Sequence, residues 1–274
     1  MIRIVRIPKV LNNFFEPFEK HFNKRSFVHF KIFVFMIALS STNKTVCQIA
    51  SYLTFGTHRT KLNDFLLRSP WNEVDVLKAM AMNRLNKLYI KGDKKTPLFL
   101  IFDDSKKKKT GKYVEGTGKI YDPVSKTYMI GHQFLAATIY YKGHTIPYSI
   151  SLYLKKNIAK ELGEPFKKLT TLTQEIIEQF EIPFVAPIYV LTDSFYANKK
   201  VVNAARTKGF HFIGALKDNR TFVINGKNTN ISTYRCNSFK RKKKSETKIK
   251  TNRGFVLFSF ISTIAIVSTI CLCR

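Results

Sequence analysis

Acidic side chains are scarce in this chain. Asp and Glu number 18 among 274 residues against 47 Lys and Arg, a formal charge of +29. Such an excess repels itself and attracts polyanions, nucleic acid first. It accompanies an apolar fraction of 45%, which excludes a mere disordered basic tail. Cysteine is also sparse. Cys47, Cys236, Cys271 and Cys273 are too few and too scattered for a disulfide framework, and Cys271-x-Cys273 lacks the second ligand pair of a zinc site. The six histidines show no ligand spacing. The N-terminus lacks the apolar stretch and cleavage site of a secretory signal, so a reducing cytoplasm is the expected compartment.

What is present divides in two. Residues 27–40, FVHFKIFVFMIALS, suit a buried helix but are too short and interrupted for a membrane span. Thr42 or Asn43 can cap a following helix with Val46, Ile49, Ala50 and Leu53 at helical spacing. After TFGT, HRTKLNDFLL reads as a further helix with Leu62, Phe65 and Leu66 inward and His58, Arg59 and Lys61 on its first turn. A helix-turn-helix over 44–67 fits this spacing, as would any small helical domain. Residues 71–90 form another helix, with Val74, Leu77, Ala81, Leu85 and Leu88 on one face. KGDKKTP at 91–97 is the most linker-like segment, dividing a helical DNA-binding domain (1–95) from a second domain (96–274).

In the second domain, 97–103 reads as a strand bounded by Pro97. Two β-rich runs follow, joined at Lys142-Gly143, then a helix over 161–181, an apolar strand over 187–193, a short helix closed by Gly209, and a last strand, FHFIGAL. The order β-β-β-α-β-α-β predicts an α/β fold: a mixed sheet with flanking helices. Asp103 and Asp193 then end two strands. If these are neighbours, the carboxylates emerge together, at a repulsive cost that a proton or a divalent cation relieves. Alternatively they are ordinary strand-end residues, and the run Lys106–Lys109 is a solvated loop.

The segments LIFDDSKKKKTGKYVEGTGKIYD and LTDSFYANKKVVNAARTKGFHFIGALKDNR resemble IS4/IS701-like insertion-sequence transposases of the DDE superfamily. The resemblance implies an RNase H-like core whose acids bind two Mg²⁺ ions, with Mn²⁺ as substitute, to cleave and join DNA at element ends. By position it implies Asp103 and Asp193 as catalytic, metal-binding acids, with Asp104 in reserve. It places Lys106, Lys107, Lys108, Lys109 and Lys112 beside DNA phosphates, as Lys can serve there. His58, Arg59 and Lys61 are the expected DNA contacts of the helical domain. The implied partners are double-stranded DNA, terminal inverted repeats, and further copies of the chain on DNA.

The third acid of the family, a Glu on a helix beyond a β-rich insertion, is not identifiable. A start of that insertion is expected from about residue 220, but only Asp218 and Glu246 follow Asp193 among the acids. Neither sits in the expected helix. The final stretch, 255–273, is nineteen uncharged residues. By hydropathy alone it suits a membrane helix, and its β-branched content suits strands equally. A frameshift or early stop replacing the catalytic helix is the preferred expectation, which makes this a C-terminally incomplete transposase without activity of its own. A non-enzymatic DNA-binding remnant is the rival reading.

Overall fold

A computed structural model describes residues 7–39, 45–53, 58–111, 114–123, 125–215, 217, 221–224, 226–230 and 233. The chain forms two compact units, Met1–Lys87 and Leu88–Arg274.

The first unit is helical. Short turns around α1 (Asn12–Phe15) lead into α2 (Lys24–Leu39), α3 (Val46–Tyr52), α4 (Arg59–Arg68) and α5 (Glu73–Leu88). The apolar spacing of α2 buries Ile32, Phe33 and Met36 against Ile49 of α3 and Leu62 and Phe65 of α4. Phe65 stacks on Trp71, ring centroids 5.5 Å apart and nearly parallel. Phe15, Phe18, Phe27 and Val76 make a second cluster. The capping residue of α3 is Thr45 rather than Thr42 or Asn43; its hydroxyl accepts the Gln48 amide at 3.2 Å. Leu66 is 47% exposed, unlike Leu62 and Phe65, and α5 turns Val76, Ala81 and Leu85 inward rather than Val74 and Leu77. A helix buries only the part of its apolar arc that meets a neighbour.

The second unit is a mixed sheet with flanking helices, as the element order predicts. Its strands are β1 (Leu98–Lys108), β2 (Gly118–Asp122), β3 (Thr127–Tyr141), β4 (His144–Tyr153), β5 (Ile188–Thr192) and β6 (His211–Gly214). They lie in the order β2-β3-β1-β5-β6, with β4 pairing β3 along the same edge as β2. β1 runs antiparallel to β3 and parallel to β5. Between β4 and β5 come α6 (Lys156–Glu161) and α7 (Leu169–Glu178), shorter than the single helix expected over 161–181; α8 (Lys199–Thr207) links β5 to β6. A separate ribbon pairs β7 (Thr221–Ile224) with β8 (Lys227–Asn230).

Strand alternation sorts the sheet's two faces. Leu98, Leu100 and Phe102 of β1, Leu135, Ala137 and Ile139 of β3 and Val190 of β5 are buried on one, as are Ile176 and Ile177 of α7 and Val201 and Ala205 of α8. The alternate face, with Phe99, Ile101, Tyr140, Tyr189 and Leu191, is half-buried. The Lys142-Gly143 turn has positive φ at both positions (47° and 78°), the primed geometry that matches hairpin twist. Lys142 also pairs with Asp93 at 2.9 Å, and Asp93 accepts the Thr96 hydroxyl at 2.7 Å. The linker-like segment is thus stapled to the sheet of its own unit.

One expectation is corrected. β1 does not end at Asp103 but continues through Lys108, so Lys106, Lys107 and Lys108 are strand residues, not a solvated loop. The cause is the fifteen-residue β3, which offers backbone partners as far as Gly131, opposite Lys108. A Cβ on Gly131 would overlap the Lys107 carbonyl, a backbone atom. Gly131→Ala should therefore destabilise the protein by about 1–3 kcal/mol, as overpacking does, read as a lower denaturation midpoint at unchanged m-value.

Candidate functional site

The β1–β5 register ends with Phe102 opposite Thr192. The next residue on each chain is an aspartate, Asp103 and Asp193, ninety positions apart in sequence. Parity puts both on the half-buried face, following Ile101 and Leu191. Asp104 has the opposite parity and turns to the buried face. There its carboxylate accepts the Tyr196 phenol at 3.1 Å and the Gln133 side-chain amide at 2.7 Å. The reserve acid is thus engaged on the other side of the sheet from Asp103.

Local hydrogen bonds hold the two acids. The Asp104 amide donates to Asp103 Oδ1 at 2.9 Å. Asp193 Oδ1 accepts the amides of Phe195 (2.9 Å) and Tyr196 (3.3 Å), the turn that short polar side chains stabilise. Asn198 then caps α8, accepting the Lys200 and Val201 amides at 3.0 and 3.1 Å. In TDSFYAN, Asp193 makes the turn, Tyr196 inserts beneath the sheet (0% exposed) and Asn198 starts the helix.

Burial raises the Asp103 carboxyl above the ordinary carboxylate range, the Asp104 amide opposes it, and the negative charges of Asp104 and Asp193 raise it further. The Tyr196 phenol is likewise pushed up, by burial first and then by the charge of Asp104. Two neighbouring hard-oxygen donors that repel one another fit a hard divalent cation as part of its shell. Among the described residues no cluster of three or more His, Cys, Asp or Glu could hold a metal. Asp218 and Glu246 lie outside the described residues.

The lysines follow the strand. Lys107, opposite His132, shares the face of Asp103; Lys106 and Lys108 have the other parity, and the Lys106 ammonium donates to the Tyr121 carbonyl at 3.1 Å. The Lys109 amide extends the ladder to the Ile130 carbonyl. Lys112 lies outside the described residues. In the first unit, His58, Arg59 and Lys61 are exposed on the first turn of α4, where His58 caps the helix through Nδ1.

A family model described as DDE superfamily endonuclease matches residues 17–236, most of the chain. The chain belongs to the DDE superfamily endonucleases. No curated protein matches it. In this DDE endonuclease chain no helix among the described residues is long and apolar enough to cross a membrane, and the apolar stretch 255–273 lies outside them. Gln133, and the hydrogen bond from the Tyr196 phenol to Asp104, escaped the sequence reading. Alternation along IFDDS could have shown that its two aspartates point to opposite faces, but only the fold brings Tyr196 to Asp104.

Two outcomes follow from this geometry. Tyr196→Phe removes a donor from the half-covered Asp104 carboxylate and should cost about 1–3 kcal/mol in urea unfolding. For Asp103 the folded-state pKa is raised, so its contribution to stability is full below the unfolded value and is lost as pH rises through the folded value. Asp103→Asn should therefore stabilise the metal-free protein at neutral pH, with the gain shrinking as pH falls into the carboxylate range. Thermal melts across pH 3–8 read this directly.

Proposed function

We propose that this chain is an insertion-sequence transposase of the IS4/IS701-like group, acting in the cytoplasm on the terminal inverted repeats of its element. The observation that carries this reading is the juxtaposition of Asp103 and Asp193 directly after the last residue pair of the parallel β1–β5 pairing in a DDE endonuclease chain. These two residues would hold Mg²⁺, or Mn²⁺ in its place. The chemistry such ions supply is activation of water and neutralisation of charge on the phosphate oxygens. The chain's part is positioning. The Asp104 amide fixes one oxygen of Asp103, and the amides after Asp193 fix one oxygen of that residue. Lys107 shares the face of the acids and meets backbone phosphate, and Lys106, Lys108, Lys109 and Lys112 extend the basic field around it. In the helical unit, His58, Arg59 and Lys61 contact element-end DNA, and copies of the chain associate there.

A second reading, a DNA-binding protein without cleavage activity, is favoured by one observation: the described residues contain no third metal ligand beside the pair. Nicking of a supercoiled plasmid carrying element ends, in Mg²⁺ and in Mn²⁺, separates the two. Metal-dependent nicks that disappear in Asp103→Asn and in Asp193→Asn carry the transposase reading and overturn the expectation of a chain without activity of its own. Asp218→Asn and Glu246→Gln in the same assay report whether either is the third acid. DNA binding without nicks in either metal favours the second reading. Both readings require salt-sensitive binding, and Lys107→Ala should lower the slope of log K against log salt by about 1.

A further inference from the structure

The β2–β3 hairpin carries an aromatic and basic patch that the acid pair does not use. Tyr121 and Tyr128 face each other across the hairpin, their rings edge to face at 5.4 Å, and they are 46% and 64% exposed. Lys119 shares their face, with its ammonium 4.8 Å from the centre of the Tyr128 ring. Ile130, paired with Lys119, is 51% exposed. Asp122 accepts the Ser125 hydroxyl at 2.7 Å, and Ser125 meets the Thr127 hydroxyl at 2.8 Å. Two large rings thus stand outward beside the Lys119 ammonium.

Register relates this patch to the acids. Tyr128 has the parity of Ala136, the partner of Asp103, so both lie on one sheet face. Eight residues separate them along β3, about 26 Å at roughly 3.3 Å per residue. Lys107 and His132 lie between.

We infer that Tyr121, Tyr128 and Lys119 form a stacking site for unpaired bases of the DNA strand that flanks the cleavage position. The inference rests on the DNA-cleaving function proposed above and names the form of substrate it takes. Base faces stack on tyrosine rings without regard to sequence, and lysine beside the ring meets the phosphate of the same nucleotide. A duplex offers its base faces to neither ring, because they are already stacked inside it. Charge selects nucleic acid over an apolar protein partner: the Lys119 ammonium lies over the Tyr128 ring and Lys107 stands on the same sheet face, whereas Asp122 accepts the Ser125 hydroxyl of its own turn.

The test uses the full chain and three probes at matched salt: a blunt duplex, the same duplex with a single-stranded extension of about ten nucleotides, and the single strand alone. The extension is long enough to span the estimated distance at about 3.4 Å or more per nucleotide. Fluorescence anisotropy gives affinity, and 2-aminopurine in the extension reports stacking by its quenching. Tyr128→Ala and Tyr121→Ala should each weaken binding of the extended probe about tenfold, abolish part of the quenching, and leave the blunt duplex unchanged. Tyr128→Phe should restore both signals, which separates stacking from a folding defect. Equal loss on all probes, or no loss on the extended one, overturns the inference. So does a change of oligomeric state in Tyr128→Ala without loss of stacking, which would assign the patch to a second copy of the chain. The binding and quenching signals are read without cleavage, so failure of the nicking assay and failure of the stacking site are distinguished.

Discussion

The site depends on one backbone contact, the parallel pairing of β1 with β5. Five residue pairs, from Leu98–Ile188 to Phe102–Thr192, align two segments remote in sequence, and the aspartate after each last pair inherits the alignment. Nothing between the carboxylates themselves favours this arrangement; their charges repel, and burial raises the Asp103 pKa. The apolar side chains on the buried face supply what holds it. Leu98, Leu100, Phe102 and Val190 are 2% exposed or less. The core thus maintains a local electrostatic conflict, the pattern in which proteins keep groups poised for a cation or a proton.

β1 also serves its other neighbour, and that double role separates the two aspartates. Antiparallel pairing to β3 keeps the strand extended beyond Asp103, so Asp104 must point to the opposite face. There the Tyr196 phenol and the Gln133 amide satisfy it. Tyr196 comes from the turn that Asp193 itself organises. A single short motif therefore places one acid on one face and neutralises the demand of a second acid on the other. An unpartnered carboxylate at Asp104 would be expensive beneath the sheet. Its hydrogen bonds instead tie the β5–α8 turn to β1.

The same persistence of β1 gives the basic run a fixed form. Lysines on a strand alternate, so their charges divide between two faces instead of forming one flexible cluster. On the face of Asp103 this leaves Lys107, with Lys119 and the exposed tyrosines further out along the same sheet. A rigid surface with positive charge and outward rings pays less ordering entropy on meeting a polyanion than a loop would.

Much of this was legible in the chain's own order of residues. Apolar runs, the Lys142-Gly143 turn, the Gly209 stop and the alternation of strand and helix specify a mixed α/β sheet, because those signals are local and each acts within a few residues. The two acids could be picked out because each ends an apolar run. The length of β1 could not be read, since four successive lysines look like a solvated loop until a long partner strand supplies their backbone hydrogen bonds. Leu66, Val74 and Leu77 were placed inward for a related reason: a helix's apolar arc is broader than the part a neighbour covers. Strand order, the engagement of Asp104 by Tyr196, and the shared face of Asp103 and Tyr128 belong to the tertiary structure. Sequence periodicity sets which way a side chain points along its own strand, and only the pairing of distant strands decides what it meets there.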